Sequence, residues 1–163
     1  MSPETAGQSL LILFSYHHHN TEKIARVIAE VLGAEIKKPQ DVNPAELHTH
    51  GLIGFGSGIY FSKHHRAVLK LAEQIPSVAG KSAFLFSTSG VFTRRKLAKD
   101  HAALRAILTA KGYTIADEFG CQGWDTYLFL KYIGGLNKGR PNAKDLESAR
   151  AFATNLQRIA PDS

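Results

Sequence analysis

The stretch Leu10-Leu11-Ile12-Leu13-Phe14, followed by Ser15-Tyr16-His17-His18-His19-Asn20-Thr21-Glu22, decides the fold. An apolar run of strand length stops abruptly at Ser15. Ile24, Ala25, Val27, Ile28, Val31 and Leu32 then recur at three- and four-residue spacing. That pattern is a buried strand feeding an amphipathic helix through a tight polar loop. Such a loop gathers unpaired backbone N–H groups at the positive end of the helix dipole, a ready site for phosphate. Ser15, Asn20 and Thr21 add hydroxyl and amide donors. Asn20 or Thr21 equally suits an N-cap, whose only task is to close the helix.

The same alternation continues outward. Gly33 reads as a C-cap, and residues 34–38 as a short edge strand. A loop over 39–44 leads into one helical turn near Ala45-Glu46-Leu47. Residues 51–56 form a second apolar, glycine-rich strand that breaks at Ser57-Gly58 and is followed by Ile59-Tyr60-Phe61. A helix over 63–74 turns Val68, Leu69, Leu71 and Ala72 inward. Residues 82–86 are a third buried strand, ending at Ser87-Thr88-Ser89-Gly90. One basic helix, with Leu97, Leu104, Ile107 and Leu108 on its apolar face, stops at Gly112. Residues 113–121 are the last strand. A long connection over 123–141, aromatic between Trp124 and Tyr132, precedes a final helix that starts at Asn142.

Strands alternating with helices require right-handed crossovers. The expected architecture is α/β: one doubly wound, five-stranded parallel sheet with helices on both faces, spanning residues 9–159 between short flexible termini at 1–8 and 160–163. In such sheets ligands bind beyond the C-terminal ends of the strands, where the strand order reverses. Three loops at that edge, 15–22, 56–61 and 87–92, are polar or glycine-rich where a plain connection would not need to be.

Composition bounds the function. The 163 residues are enough for one domain with a full core, and 44% hydrophobic with 21% charged residues is the balance of a soluble globular protein. No apolar run reaches the length of a membrane span, and residues 1–8 lack the features of a signal peptide. Cys121 is the only cysteine. It excludes an intramolecular disulfide, reads as a small buried hydrophobe, and suits a reducing cytoplasm. The net charge is +6. Lys63-His64-His65-Arg66, and Arg94-Arg95-Lys96 with Lys99, are either solvated helix starts or attractors of an anionic partner such as an acidic protein, a phosphate or a membrane surface. No RNA-binding or helix-turn-helix signature accompanies them, so nucleic acid is not an expected partner.

Several chemistries drop out on spacing. His17, His18 and His19 are consecutive and cannot converge on one ion, so no metal site is expected. Ser87 and Ser89 lie outside a Gly-x-Ser-x-Gly elbow, which argues against a hydrolase. Gly54-x-Gly56-x-Gly58 misses dinucleotide-loop spacing. No paired aspartates follow the first strand, as a receiver domain would need.

In its three loops and its element order the chain resembles the flavodoxin family. Ser15-Tyr16-His17-His18-His19-Asn20-Thr21-Glu22 is similar to that family's phosphate loop, commonly Ser-x-Thr-Gly-x-Thr, although it is one residue longer and carries histidines in place of Thr-Gly. Gly56-Ser57-Gly58-Ile59-Tyr60-Phe61 falls where the family places one wall of the isoalloxazine site, and Ser87-Thr88-Ser89-Gly90-Val91-Phe92 where it places the other. The resemblance covers nearly the whole chain by element order. It implies a sheet order of 2-1-3-4-5 and FMN as cofactor. The FMN-binding residues it implies are Ser15, Tyr16, His17, His18, His19, Asn20 and Thr21, then Ser57, Gly58, Ile59, Tyr60 and Phe61, and last Ser87, Thr88, Ser89, Gly90, Val91 and Phe92. One or two of the histidines belong near the phosphate. Tyr60, Phe61 and Phe92 are candidates to stack on the ring, ordinary packing under a loop being the alternative.

The resemblance implies an electron carrier working between redox partner proteins, with acidic partner surfaces suiting the basic chain. No residue is assigned a catalytic role. The alternative is an FMN-dependent oxidoreductase with its own quinone or protoporphyrinogen-type substrate. The flavodoxin-like protoporphyrinogen oxidase is similar in size and basic in charge, and Arg94, Arg95 and Lys63 would attract the carboxylates of such a substrate.

Overall fold

The first strand, β1 (Leu10–Phe14), is apolar throughout because it is covered on both faces. Its side chains alternate: Leu10, Ile12 and Phe14 join one core layer, while Leu11 and Leu13 join the other. The computed structural model describes residues 8–15, 19–124, 135 and 137–160. Helix α1 (Asn20–Leu32) follows β1 and ends at Gly33, whose φ of 63° is the left-handed C-cap expected of glycine there.

The remaining strands are β2 (Glu35–Lys37), β3 (Leu52–Tyr60), β4 (Lys63–His64), β5 (Lys81–Ser89) and β6 (Tyr113–Gln122). Five of them lie parallel in the order β2-β1-β3-β5-β6. Counted among the parallel strands alone, that order is 2-1-3-4-5, as anticipated. The helices are α2 (Arg66–Gln74), α3 (Arg94–Asp100), α4 (Ala102–Ala110) and α5 (Ala143–Ile159). Ile24, Ala25 and Ile28 of α1 and Ala149, Phe152 and Leu156 of α5 build one layer. Val68, Leu71 and Ala72 of α2 and Leu104 and Leu108 of α4 build the other. No described helix is long and apolar enough to cross a membrane.

The glycines of β3 explain how the α1/α5 layer closes. A Cβ on Gly54 would overlap the ring of Phe84, and one on Gly56 the ring of Phe86. Both rings are fully buried and lie across β3 at the places where it has no side chains. The Gly-x-Gly pattern is therefore a packing device between adjacent strands.

Four local expectations are corrected. β3 does not break at Ser57-Gly58, because both residues stay in register with β5, opposite Ser87 and Thr88. The helix expected over 63–74 begins only at Arg66. Lys63 and His64 fold back antiparallel on Tyr60 and Ile59, through a hairpin whose turn residues Phe61 and Ser62 have φ of 51° and 62°. His65 then caps α2 by accepting the Ala67 N–H at its Nδ1. β5 runs on to Ser89 rather than stopping at Phe86. The single basic helix is two, α3 and α4, which part at His101, whose side chain is fully buried. The final helix opens as expected, with Asn142 and Asp145 forming a capping box. Of the expected termini at 1–8 and 160–163, residues 1–7 and 161–163 lie outside the described residues, as do 125–134 and 136 of the connection over 123–141.

Because Phe84 and Phe86 cannot retreat within the core, G54A and G56A should each destabilise the protein by roughly 1–3 kcal/mol. Urea unfolding followed by circular dichroism should show a lower midpoint for both; unchanged midpoints would mean that the rings do not need this space.

Candidate functional site

Strand register levels three loops at one edge of the sheet. Phe14 lies opposite Ser57, and Ser57 opposite Ser87, so the exits of β1, β3 and β5 stand side by side. The reversal of strand order falls between β1 and β3, where an open α/β sheet offers a crevice.

At the first exit the N-cap position of α1 is His19, at φ 53° and with no side-chain capping bond. Asn20 and Thr21, the expected caps, instead occupy the first turn and face inward. Thr21 Oγ1 shares a buried hydrogen bond of 2.8 Å with Thr88 Oγ1, tying α1 to the end of β5. Asn20 Nδ2 donates to the Trp124 carbonyl at 2.8 Å, and the Asn20 amide sits so close to Gly123 that a Cβ there would overlap it. Ser15 Oγ accepts the Glu22 N–H at 3.2 Å. His19 pairs at the surface with Glu22, which also binds Arg26; the Arg26 hydrogen bond is the main cause holding the Glu22 carboxyl below its usual range. Asn20 Oδ1 is buried without a partner. The backbone N–H groups of Asn20 and Thr21 meet no acceptor among the described residues. Tyr16, His17 and His18 lie outside those residues.

At the second exit Ser57 Oγ donates to the Gly58 carbonyl at 2.6 Å and accepts the His65 N–H at 2.8 Å, bracing the β3–β4 hairpin. Ile59 pairs with His64 in that hairpin. The His65 ring stacks on Phe14 at 3.6 Å and receives the edge of Tyr60 at 5.1 Å. Burial and the nearby Arg66 lower the His65 imidazole's proton affinity. Phe61, at the turn, is 88% exposed.

At the third exit Ser89 Oγ donates to the Val91 carbonyl at 2.7 Å, and the Gly90 carbonyl accepts from Asn137 Nδ2 at 2.6 Å. Val91 is exposed, while Phe92 is half-buried with its ring over Gly120 of β6. Of the expected stacking residues, Tyr60 and Phe92 therefore rest partly on the protein and Phe61 projects.

Below this edge lies a polar network that the sequence reading missed. Ser87 Oγ is 2.7 Å from His101 Nε2, and His101 Nδ1 is 2.9 Å from Glu118 Oε1. Arg105 clasps the same carboxylate with its Nε at 2.9 Å and Nη2 at 2.7 Å. The His64 ring lies 4.6 Å from that of His101 and donates through Nε2 to the Phe86 carbonyl at 3.1 Å. Burial first, and the neighbouring His101 second, push His64 down to about 3. At Glu118 burial works upward, but the hydrogen bonds from His101 and Arg105 and the Arg105 charge outweigh it and hold the carboxyl down at about 2. The connectivity Ser87–His101–Glu118 is that of a charge relay, yet Ser87 is buried, with Phe92 and Leu97 packed over the adjoining strand. It braces the β5 exit. Only the His101/Arg105 spacing, one helical turn apart, was readable in advance; Ser87, His64 and Glu118 come from three other strands. Cys121 is buried as expected, and that burial raises its thiol to about 12, an unreactive value.

A family model described as the flavodoxin domain matches residues 11–125. The chain belongs to the flavodoxin family. The uncharacterized protein MJ0298 of Methanocaldococcus jannaschii is 44% identical over 149 residues, covering 91% of this chain and 97% of its own length. Among solved structures, the Streptococcus pneumoniae TIGR4 flavodoxin superposes with a TM-score of 0.68 at 15% identity, over 92% of this chain and 98% of that one. An NADH:FMN oxidoreductase superposes with a TM-score of 0.65 at 14% identity, over 96% and 91%. At such identities these superpositions report the shared flavodoxin fold.

The network makes stability depend on pH. The unfolded chain protonates His64 near 6.5, whereas the folded protein resists until about 3. Stability on this account is complete above pH 6.5 and falls as the pH drops from 6.5 toward 3. Glu118, with an ordinary value of 4.5 and a folded value of about 2, adds a second loss below pH 4.5. Replacing His64 by Gln, which can still donate to Phe86, should remove about 1.4 kcal/mol per pH unit of slope between pH 6.5 and 4.5. Urea midpoints measured across that window test this, and an equally steep slope in H64Q would refute it.

Proposed function

We propose that this chain binds FMN across the exits of β1, β3 and β5 and carries electrons between redox partner proteins. The observation that supports this best is a pair of backbone donors at the first exit that meet no acceptor among the described residues. The Asn20 and Thr21 N–H groups stand at the positive end of a 13-residue helix, beside two loops that carry Gly58, Tyr60 and Phe61 and Gly90 and Phe92. These groups fit a phosphorylated, planar ligand. Ser15, Asn20 and Thr21 would hold the phosphate, as the helix dipole favours. Residues 57–61 and 87–92 would flank the ring, with Tyr60, Phe61 and Phe92 as apolar cover and main-chain groups as hydrogen-bond partners. When bound, FMN supplies one- and two-electron redox chemistry, while the protein sets its affinity and potential. The buried Thr21–Thr88 bond keeps phosphate loop and ring loop at a constant separation. A reducing cytoplasm suits this role and the lone buried thiol.

The second reading, an FMN-dependent oxidoreductase with its own quinone or protoporphyrinogen-type substrate, draws support from exposed Lys63 at the second exit and Arg94 and Arg95 at the third. Turnover by the purified protein without a partner would favour it.

The purified protein should be yellow, or become so with added FMN, and should bind FMN at least tenfold more tightly than riboflavin, which lacks the phosphate. A colourless protein that ignores FMN would overturn the assignment, and equal affinities would remove the first loop from it. The net charge of +6 should also favour the anionic, fully reduced flavin. A spectroscopic redox titration should therefore place the second electron at a less negative potential than in acidic flavodoxins.

A further inference from the structure

Two large apolar side chains stand exposed on neighbouring turns: Phe61 at 88% in the β3–β4 hairpin, and Val91 at 54% in the β5–α3 connection. The turns adjoin because β3 and β5 are paired up to Gly58 and Thr88. Around them lie four exposed cations, Lys63 on β4 and Arg94, Arg95 and Lys99 on α3, which packs against β4. Among the described residues no carboxylate pairs with any of the four. The acids of this region are already engaged: Asp100 with Lys96, Glu118 with Arg105 and His101, and Glu22 with Arg26 and His19.

Folding does not account for these charges. Helix α3 opens with Arg94-Arg95-Lys96 and has no acid in its first turn; α2 opens with Arg66 and likewise has none. Cations at the positive end of a helix are unfavourable. The two helices of the other layer follow the favourable rule, α1 with Glu22 and α5 with Asp145 in the first turn. Lys23 of α1 and Lys144 of α5 share their first turns with those acids, whereas the first-turn cations of α2 and α3 have no acid beside them.

We propose that this surface docks the acidic face of a small redox protein, a reading that rests on the electron-carrier function above and names its partner by chemistry. A small apolar centre inside a charged rim is the anatomy of a protein–protein interface, and unpaired rim charges steer association and set orientation. The two apolar side chains exposed at these turns are, among the described residues, too few for stable insertion into a bilayer.

The test is a titration of the isotope-labelled protein, with and without FMN, by a small 2[4Fe–4S] ferredoxin of net negative charge. Basic cytochrome c serves as the control. Chemical-shift changes should centre on Phe61, Lys63, Val91, Arg94, Arg95 and Lys99, and the affinity should fall as salt is raised. The double variant R94E/R95E should bind at least tenfold more weakly. It should fold normally, because glutamate in the first turn of α3 suits the helix dipole, and unfolding midpoints check this. Overturning results are no binding of the ferredoxin, shifts centred elsewhere, equal binding by R94E/R95E, or equal binding of cytochrome c. Perturbation of the same residues by anionic lipid vesicles or a DNA duplex, with none by the ferredoxin, would reassign the surface. A protein that takes up FMN but ignores the ferredoxin refutes the surface alone. One that binds the ferredoxin at this surface yet never takes up FMN refutes the cofactor alone.

Discussion

The structure depends on two absent side chains. Gly54 and Gly56 leave the α1/α5 face of β3 bare, and the rings of Phe84 and Phe86 from the next strand lie into that space. Phe84 in turn meets Phe152 of α5 at 5.9 Å between ring centres, edge to face. Close approach of two strands and a helix thus rests on positions where even a methyl group would collide. The opposite face of the same strand is conventional, with Ile53 and Phe55 packed among Val68, Leu71 and Leu104. One strand serves two layers of different thickness by alternating glycine with large residues.

This packing has consequences at the sheet edge. With α1 drawn onto its layer, its first turn reaches the end of β5 and the Thr21–Thr88 hydrogen bond can form. Asn20 reaches in the other direction, to the main chain just after β6. Two residues of one helical turn therefore fasten the first loop to two other strand exits. Ser57 does the same for the second loop by bridging the Gly58 carbonyl and the His65 N–H. Polar residues in these loops brace the rim, and the groups without partners among the described residues, the Asn20 and Thr21 N–H donors, together with the exposed Phe61 and Val91, are what a ligand or partner would meet.

Charge is arranged in two tiers. The buried tier, with Ser87, His64, His101, Glu118 and Arg105, is hydrogen-bonded internally except at His64 Nδ1, which is buried with no partner among the described residues, and it holds the β5 exit in place. An unpaired ion there would be costly, so Arg105 clasps Glu118 with two nitrogens. The outer tier, with Lys63, Arg94, Arg95 and Lys99, is exposed and has no carboxylate partner among the described residues. The same short segment of chain, 94–105, contributes to both.

The sequence by itself determined the alternation of strands and helices, the parallel sheet and the three loops at its switch point. These follow from local periodicity: LLILF can hardly be other than a buried strand, and the spacing of Ile24, Ile28 and Leu32 is that of a helix face. It also marked Gly33 and Asn142 correctly as helix ends, because capping is a contest among adjacent residues. Tertiary structure decided the rest. Lys63 and His64 became a strand because Ile59 and Tyr60 offered a partner, and Asn20 and Thr21 became tethers because β5 and β6 end beside them. The glycines of β3 acquired their meaning from Phe84 and Phe86, thirty residues away, and the triad at Ser87 from a helix junction and another strand. Such pairings are long-range contacts between groups that compete locally with equally good alternatives, so only the packed chain chooses among them.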